Sequence, residues 1–294
     1  MSEDALWPRA SAWLQPSKGQ PTQLGIFGVP ASETSISATA AHTTPAEIRV
    51  ALARFSTFSW STGRDISELS FADFGDSEDP DTEAGEQRTA LLANQVAKLS
   101  DLVIALGGDN SITYAVAKGI FAGDYSGSGL ITLDAHHDLR DGISNGSPVR
   151  RLIEAGLPGN QIVQIGINDF SNSPQYAARA REYGIHVIPR SELRGRSLES
   201  VVDQALGFLA GKKIHVDIDM DVCDRSVVPA CPAAAPGGIS ADELRQFAFL
   251  LGKSKQVKSF DITEIDALAD SADGRTVRLA ALAILEIASG FQSR

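Results

Sequence analysis

Seven short apolar runs rich in β-branched residues punctuate the chain, at residues 23–30, 102–108, 129–134, 162–167, 185–189, 213–222 and 257–265. Between most of them lie segments with the apolar spacing of a helix, at 45–55, 87–99, 111–120, 147–155, 198–209, 241–251 and 276–287. Strands that are apolar on both sides must be covered on both faces, and strand–helix–strand alternation supplies that cover. The pattern therefore predicts an α/β fold, a parallel sheet between two layers of helices. One helix start is marked by Thr44-Pro45-Ala46-Glu47: a capping hydroxyl, a proline suited to the first turn, and a glutamate placed to reach back to the Thr44 amide. Residues 67–85 hold seven acids with Gly and Pro and read as a solvated connection.

Composition fits this architecture and narrows the partners. A chain of 294 residues that is 43% hydrophobic can bury a substantial core, and no composition break divides it, so one domain over residues 1–294 is expected. A net charge of −11 disfavours nucleic acid or an anionic membrane as the main partner. Cys223 and Cys231 could pair, but two cysteines in a chain this long read better as buried thiols in a reducing compartment. The opening MSEDALWPRA is acidic and lacks an apolar run, which points to a soluble, cytoplasmic protein. Residues 1–20, with Trp7, Pro8, Trp13 and Pro16, look like an arm lying on the domain or on a neighbouring subunit.

In open parallel sheets ligands bind beyond the carboxyl ends of the strands. Three expected strand ends carry acids or histidines: Gly107-Gly108-Asp109-Asn110-Ser111, Asp134-Ala135-His136-His137-Asp138, and Asp217-Ile218-Asp219-Met220-Asp221-Val222-Cys223-Asp224. Alternation along an extended chain places Asp134, His136 and Asp138 on one side, and does the same for Asp217, Asp219 and Asp221. Carboxylates gathered at one sheet edge repel and raise one another's pKa unless a cation neutralises them. Each motif alone has an ordinary explanation: a solvated edge, a core histidine or a glycine turn. Their conjunction points to a divalent metal centre, with two ions as the simplest count. Carboxylate oxygens with one or two imidazoles suit Mn2+ better than a thiolate-loving ion.

These three motifs, in this order and spacing, resemble the metal motifs of the ureohydrolases, the arginase family that includes agmatinases, guanidinobutyrases and formimidoylglutamases. The resemblance runs from residue 24 to 290. It implies a three-layer α/β/α fold with a mostly parallel eight-stranded sheet, two Mn2+ ions per subunit, and hydrolysis of an amidine or guanidine C–N bond by a water that the ions acidify. It also implies self-association, as trimers or hexamers. The family pattern D-x-D-x-x-D is met by Asp219, Asp221 and Asp224, which makes Asp219 and Asp221 ligands and leaves Asp217 as a hydrogen-bonded strand residue behind them. Asp134, His136 and Asp138 match the remaining ligand positions. Glu264, in Ile262-Thr263-Glu264-Ile265-Asp266, matches the carboxylate that pairs with the cationic amidinium; a carboxylate can accept two parallel N–H bonds from such a group.

Two positions depart from the family pattern. Asn110 stands where most members have a histidine ligand, so the ion beside it is expected to gain only an amide oxygen and to bind weakly. Asn145 stands where arginases carry a histidine proton shuttle and cannot titrate. Proton transfer to the leaving nitrogen is then expected from Asp138.

Further segments resemble the formimidoylglutamase branch: Ser32-Glu33-Thr34-Ser35-Ile36-Ser37, GGDNS, DAHHDLR, NGSPVRRL and FSNSPQY. That branch implies conversion of N-formimidoyl-L-glutamate and water into L-glutamate and formamide. A substrate with two carboxylates needs cations in its pocket, whereas agmatine, a dication, needs acids. Arg140, Arg150 and Arg151 put three guanidinium groups near the second motif, with Arg140 the best placed for a bidentate carboxylate contact; Arg150 and Arg151 are equally explained as surface residues of a helix. Asn145, Asn168 and Asn172 could add neutral hydrogen bonds to the substrate. Two alternatives stay open: a guanidino ureohydrolase that releases urea, and a metal-poor relative without catalysis, motivated by Asn110 and Asn145.

Overall fold

The computed structural model describes Asp4 and residues 6–294, so residues 1–3 and 5 of the expected N-terminal arm lie outside the described residues. Nine strands form the central sheet: β1 (Gln15–Pro16), β2 (Thr22–Val29), β3 (Phe71–Asp76), β4 (Ser100–Gly107), β5 (Ser128–Leu133), β6 (Ile162–Ile165), β7 (His186–Ile188), β8 (Lys213–Asp219) and β9 (Val257–Thr263). Their order is β1-β3-β2-β4-β9-β8-β5-β6-β7, and every pairing is parallel.

Alternating residues of the inner strands feed two cores. Leu24, Ile26, Leu102, Ile104 and Leu106 pack on one face with Ile48 and with the helices Ala241–Lys253 and Arg275–Gln292. Phe27, Val29, Val103 and Ala105 pack on the other with Ala93 and Val96 of the helix Glu83–Leu99 and Ile112 and Val116 of the helix Ile112–Phe121. The inner strands are buried on both faces, which is why they read as unbroken apolar runs.

The sheet has one strand more than the eight expected. β1 is a two-residue edge strand contributed by the arm, which lies on the domain: Trp13 Nε1 donates to the Leu69 carbonyl at 2.7 Å, its ring sits 4.6 Å from that of Phe71, and Ala10 is fully buried. β3 runs through the acidic segment expected to be a solvated connection. Its acids are matched from outside the segment, since Arg49 holds Asp73 with two bonds of 2.7 and 2.9 Å and Asp76 with one of 2.7 Å. The expected helix cap also differs. The helix Thr44–Ala51 continues a 3-10 turn, Ala41–Thr43, and the Thr44 hydroxyl donates instead to the Ile265 carbonyl at 2.5 Å, tying the helix to the end of β9. A further helix, Pro174–Tyr183, follows β6 and is bounded by a Ser173 cap and a left-handed Gly184; with only Ala180 buried, it shows little apolar periodicity in the sequence.

Candidate metal centre

The four inner strands β4, β9, β8 and β5 are neighbours, and their carboxyl ends bring the three acidic motifs and Glu264 together. At the end of β4 the chain approaches its neighbour closely: Gly108 N donates to the Val29 carbonyl and Asp109 N to the Ala31 carbonyl, both at 2.9 Å. A Cβ on Gly108 would lie 1.9 Å from the Ala31 oxygen, so this contact requires glycine. Asp138 and Glu264 both sit at positive φ, 53° and 65°, a conformation that non-glycine residues adopt at a cost and that recurs where a side chain must be aimed.

Two groups of donor atoms converge. Atoms of Asp134, His136 and Asp221 lie within 4.8 Å of one another, and so do atoms of Asp134, Asp138 and Asp219. Asp134 belongs to both. The backbone organises them: Asp134 Oδ1 accepts from His136 N at 2.6 Å, Asp219 Oδ1 from Asp221 N at 2.8 Å, and Asp221 Oδ1 from Ala135 N at 3.0 Å. His136 Nδ1 lies 2.6 Å from Asp221 Oδ2. Asp134 Oδ2 is buried without a hydrogen-bond partner.

The electrostatics follow from burial and like charge. Burial, reinforced by Asp221, pushes Asp134 up to about 7. Burial together with Asp134 raises Asp138 well above the carboxylate range, and burial with Asp221 does the same to Asp219. Burial alone would lower the His136 imidazole, but Asp221 and Asp134 push it up to about 12. The reciprocal effect holds Asp221 low despite its burial. An orphaned carboxylate oxygen, two overlapping donor groups and an oxygen-rich set with one imidazole fit a pair of hard or borderline divalent ions.

Asn110 is used differently from the expectation. Its Oδ1 accepts from the hydroxyls of Thr113 at 2.8 Å and Thr263 at 3.0 Å, while Nδ2 donates to Asp138 Oδ2 at 2.5 Å. With its oxygen claimed by two hydroxyls, Asn110 orients Asp138 and does not present an amide oxygen to an ion. Asp224 accepts from Ser226 and from Gly237 N and organises its own loop. Asp217, expected to be hydrogen-bonded, is fully buried on β8 opposite Asp261 of β9, and neither of its carboxylate oxygens has a hydrogen-bond partner among the described residues. Cys223 and Cys231 are buried free thiols.

A cleft of about 240 Å3 opens over the acids, lined among others by Asp138, Arg140, Asn145, Gly146, Asn172 and Glu264. A larger concavity, about 1120 Å3 beside Arg190 and Arg245, shares no lining residue with it. Arg140 is the cleft's lone cationic lining residue apart from His136, and its guanidinium has no acidic partner among the described residues. Arg150 braces the Arg140 segment, donating to the Arg140 carbonyl at 2.6 Å and to the Gly142 carbonyl. Arg151, expected at the substrate, points elsewhere: it pairs with Glu86 at 2.6 Å and stacks on Tyr114 at 3.8 Å. Asn168 caps Asp169 N and is absent from the cleft lining; Asn172 bonds the backbone of Ala135 and His137 at 2.9 Å each and so holds the second motif in place.

Glu264 carries the rest of the site. Its Oε1 accepts from Asn110 N and from Asn145 Nδ2, both at 2.8 Å. Burial and the nearby Asp109 push it up to about 7 against those two donors. Asn145 thus contacts Glu264, a link across 119 positions that no local pattern marks. Also unforeseen is Asp109, fully buried, which takes the Ser35 hydroxyl at 2.8 Å and clips the loop after β2 to the end of β4.

Comparison with known proteins gives the family and the fold. The arginase family model matches residues 22–290. The formimidoylglutamase of Halalkalibacterium halodurans is 39% identical over 279 residues, 90% of this chain and 86% of the relative. The crystal structure of the Bacillus subtilis formimidoylglutamase superposes with a TM-score of 0.93 at 30% identity, covering 99% of this chain and 94% of that one. A Trypanosoma cruzi formiminoglutamase solved with Mn2+ shares the fold, with a TM-score of 0.91, 24% identity and coverage of 98% and 99%.

Proposed function

The chain belongs to the arginase family, and from that premise we propose that it is a formimidoylglutamase, hydrolysing N-formimidoyl-L-glutamate to L-glutamate and formamide. The observation that carries the substrate assignment is the pairing of two opposite charges in one cleft: Glu264, suited to an amidinium, and Arg140, a guanidinium with no acidic partner among the described residues. A dicarboxylate with a cationic formimidoyl group matches both; agmatine, cationic at both ends, would meet Arg140 with like charge.

The donor groups around Asp134 support two Mn2+ ions, one of which Asp134, His136 and Asp221 would hold and the other Asp134, Asp138 and Asp219. When bound, such a pair supplies Lewis acidity and an acidified water at neutral pH. Glu264 orients the formimidoyl carbon by accepting from its terminal nitrogen. Asp138, oriented by Asn110, takes the proton of the attacking water and passes it to the glutamate nitrogen as that nitrogen leaves. Arg140 holds a substrate carboxylate, and the Arg150 brace keeps its backbone fixed.

The reading extends to a one-domain, self-associating, cytoplasmic enzyme. A single sheet that interleaves strands from both ends of the chain, exposed Trp60 and Phe170, and two free buried thiols support it. Among the described residues no helix is long and apolar enough to cross a membrane. The decisive experiment is a coupled glutamate assay on N-formimidoyl-L-glutamate with and without Mn2+, with formamide and urea quantified. Mn2+-dependent release of glutamate and formamide is expected; urea release from a guanidino compound alone would overturn the assignment.

A further inference from the structure

The carboxylate that faces the substrate is half used by the protein. A carboxylate offers two lone-pair directions on each oxygen. Glu264 Oε1 receives two N–H donors, Asn110 N and Asn145 Nδ2, each at 2.8 Å, and so is filled. Oε2 receives none among the described residues. A half-turn of the carboxylate only exchanges two equivalent oxygens, so the one facing Asn110 N and Asn145 Nδ2 is always filled and the other free, while φ 65° and the Glu264 N–H, which donates to the Gly108 carbonyl at 2.9 Å, fix the backbone that places the group. Asn145 is itself fixed: its Oδ1 accepts from Ile36 N at 3.1 Å, and the reverse amide orientation would set two acceptors against each other at Glu264.

The geometry points to Asn145 as a specificity-determining residue that, by filling Glu264 Oε1, leaves a single acceptor oxygen and thereby selects formimidoyl over guanidino substrates. This deepens the formimidoylglutamase reading and rests on it. A formamidinium carbon bears one terminal NH2, the substituted N–H of the glutamate nitrogen and one hydrogen, and its terminal NH2 can be met by Oε2 alone. A guanidinium carries a second NH2 in place of that hydrogen, and its planar fork needs both oxygens of a carboxylate. In this site the second NH2 would meet Oε1, whose lone pairs are taken. It would lose its water without gaining a partner, and a donor left unpaired in a buried site is the chemistry by which enzymes reject a near-isosteric competitor.

The test uses the full-length Mn2+-loaded protein and its Asn145→Ala and Asn145→Asp variants, each checked for folding by circular dichroism. Glutamate release is measured from N-formimidoyl-L-glutamate and from its guanidino counterpart, N-carbamimidoyl-L-glutamate. Asn145→Asp keeps the acceptor for Ile36 N but replaces the donor to Glu264 by a carboxylate, adding a charge that Asn145→Ala does not, so a change common to both variants reads occupancy of Oε1; if Asn145→Ala does not fold, Asn145→Ser takes its place. Both variants are expected to lower the formimidoyl-to-guanidino ratio of kcat/KM by about ten-fold or more. A ratio within about two-fold of the parent in both, or a shift in Asn145→Ala alone, would overturn the proposal. If the parent releases no glutamate from the formimidoyl compound, it is the functional reading that fails. Equilibrium binding of the two compounds to the three proteins then still reads the selectivity ratio, with the same two outcomes.

Discussion

Asn110 turns its amide nitrogen to Asp138, Nδ2 lying 2.5 Å from Asp138 Oδ2, while its oxygen is held by Thr113 and Thr263. The donor group Asp134, Asp138 and Asp219 is therefore all oxygen, whereas the group of Asp134, His136 and Asp221 includes an imidazole. Mn2+ titration of the metal-stripped protein by calorimetry is expected to resolve a tighter and a looser class of site. Asn110→Ala should weaken the looser class by about ten-fold or more, because a ligand that loses its orienting partner loses affinity, and should spare the tighter class. One class in the parent, or equal loss from both, would contradict this.

Arg140 lies across Gly146, whose imagined Cβ would come 2.7 Å from Arg140 Cδ and 3.1 Å from Nε. Replacement of Arg140 by Ala should raise KM for N-formimidoyl-L-glutamate by about ten- to a hundred-fold, the size of a charge-assisted hydrogen bond, with a smaller effect on kcat. Gly146→Ala should move KM in the same direction by displacing the guanidinium. Arg140→Lys should recover only part of the loss, since an ammonium cannot offer the planar fork. A fall in kcat at unchanged KM would place Arg140 at the reacting centre instead.

The place of this site was legible because ligands gather beyond the carboxyl ends of parallel strands, but the expected strand alternation is not what unites its side chains. β5 ends at Leu133, Asp138 sits at φ 53°, and Asp221 lies in the 3-10 turn Met220–Val222, so the donor atoms meet through the turns after the strands. What the sequence hid were matches supplied from far away. β3 looked like a solvated loop because its neutralising partner, Arg49, belongs to another element. Asn145 and Glu264 meet only after folding, and Asn110 could not be told from an oxygen donor without the two hydroxyls that capture its oxygen. Adjacent residues on a helix point about 100° apart, so Arg150 reaches the Arg140 segment while Arg151 faces Glu86.

The metal-free protein should lose stability as pH rises from about 4.5 to 7. Asp134 and Glu264 are each pushed up to about 7, so between their ordinary values and 7 the folded state holds more protons than the unfolded one, and stability falls with rising pH. His136, pushed up to about 12, acts with the same sign above its ordinary range. Mn2+ binds the deprotonated carboxylates, so its stabilisation should grow over the same interval. Thermal unfolding from pH 5 to 8, with and without Mn2+, measures both trends; a metal-free melting temperature that climbs through this range would refute the assignment of those raised groups.

Beneath the donor groups, β8 and β9 place Asp217 opposite Asp261, both fully buried, with His215 Nε2 3.1 Å from Asp261 Oδ2. Burial and Asp261 raise Asp217 well above the carboxylate range. Asp261→Ala would strip His215 Nε2 of its partner, leaving Ser259 at Nδ1, and a buried polar group that loses its hydrogen-bond partner costs about 1 to 3 kcal/mol. Asp217→Asn instead supplies an amide donor beside Asp261 and removes one of two neighbouring acids, so it should be neutral or stabilising. Urea unfolding of the metal-free proteins compares the two through their midpoints at unchanged slope. Equal destabilisation by both changes would mean that the charge on Asp217 supports the floor of the cleft instead of opposing Asp261.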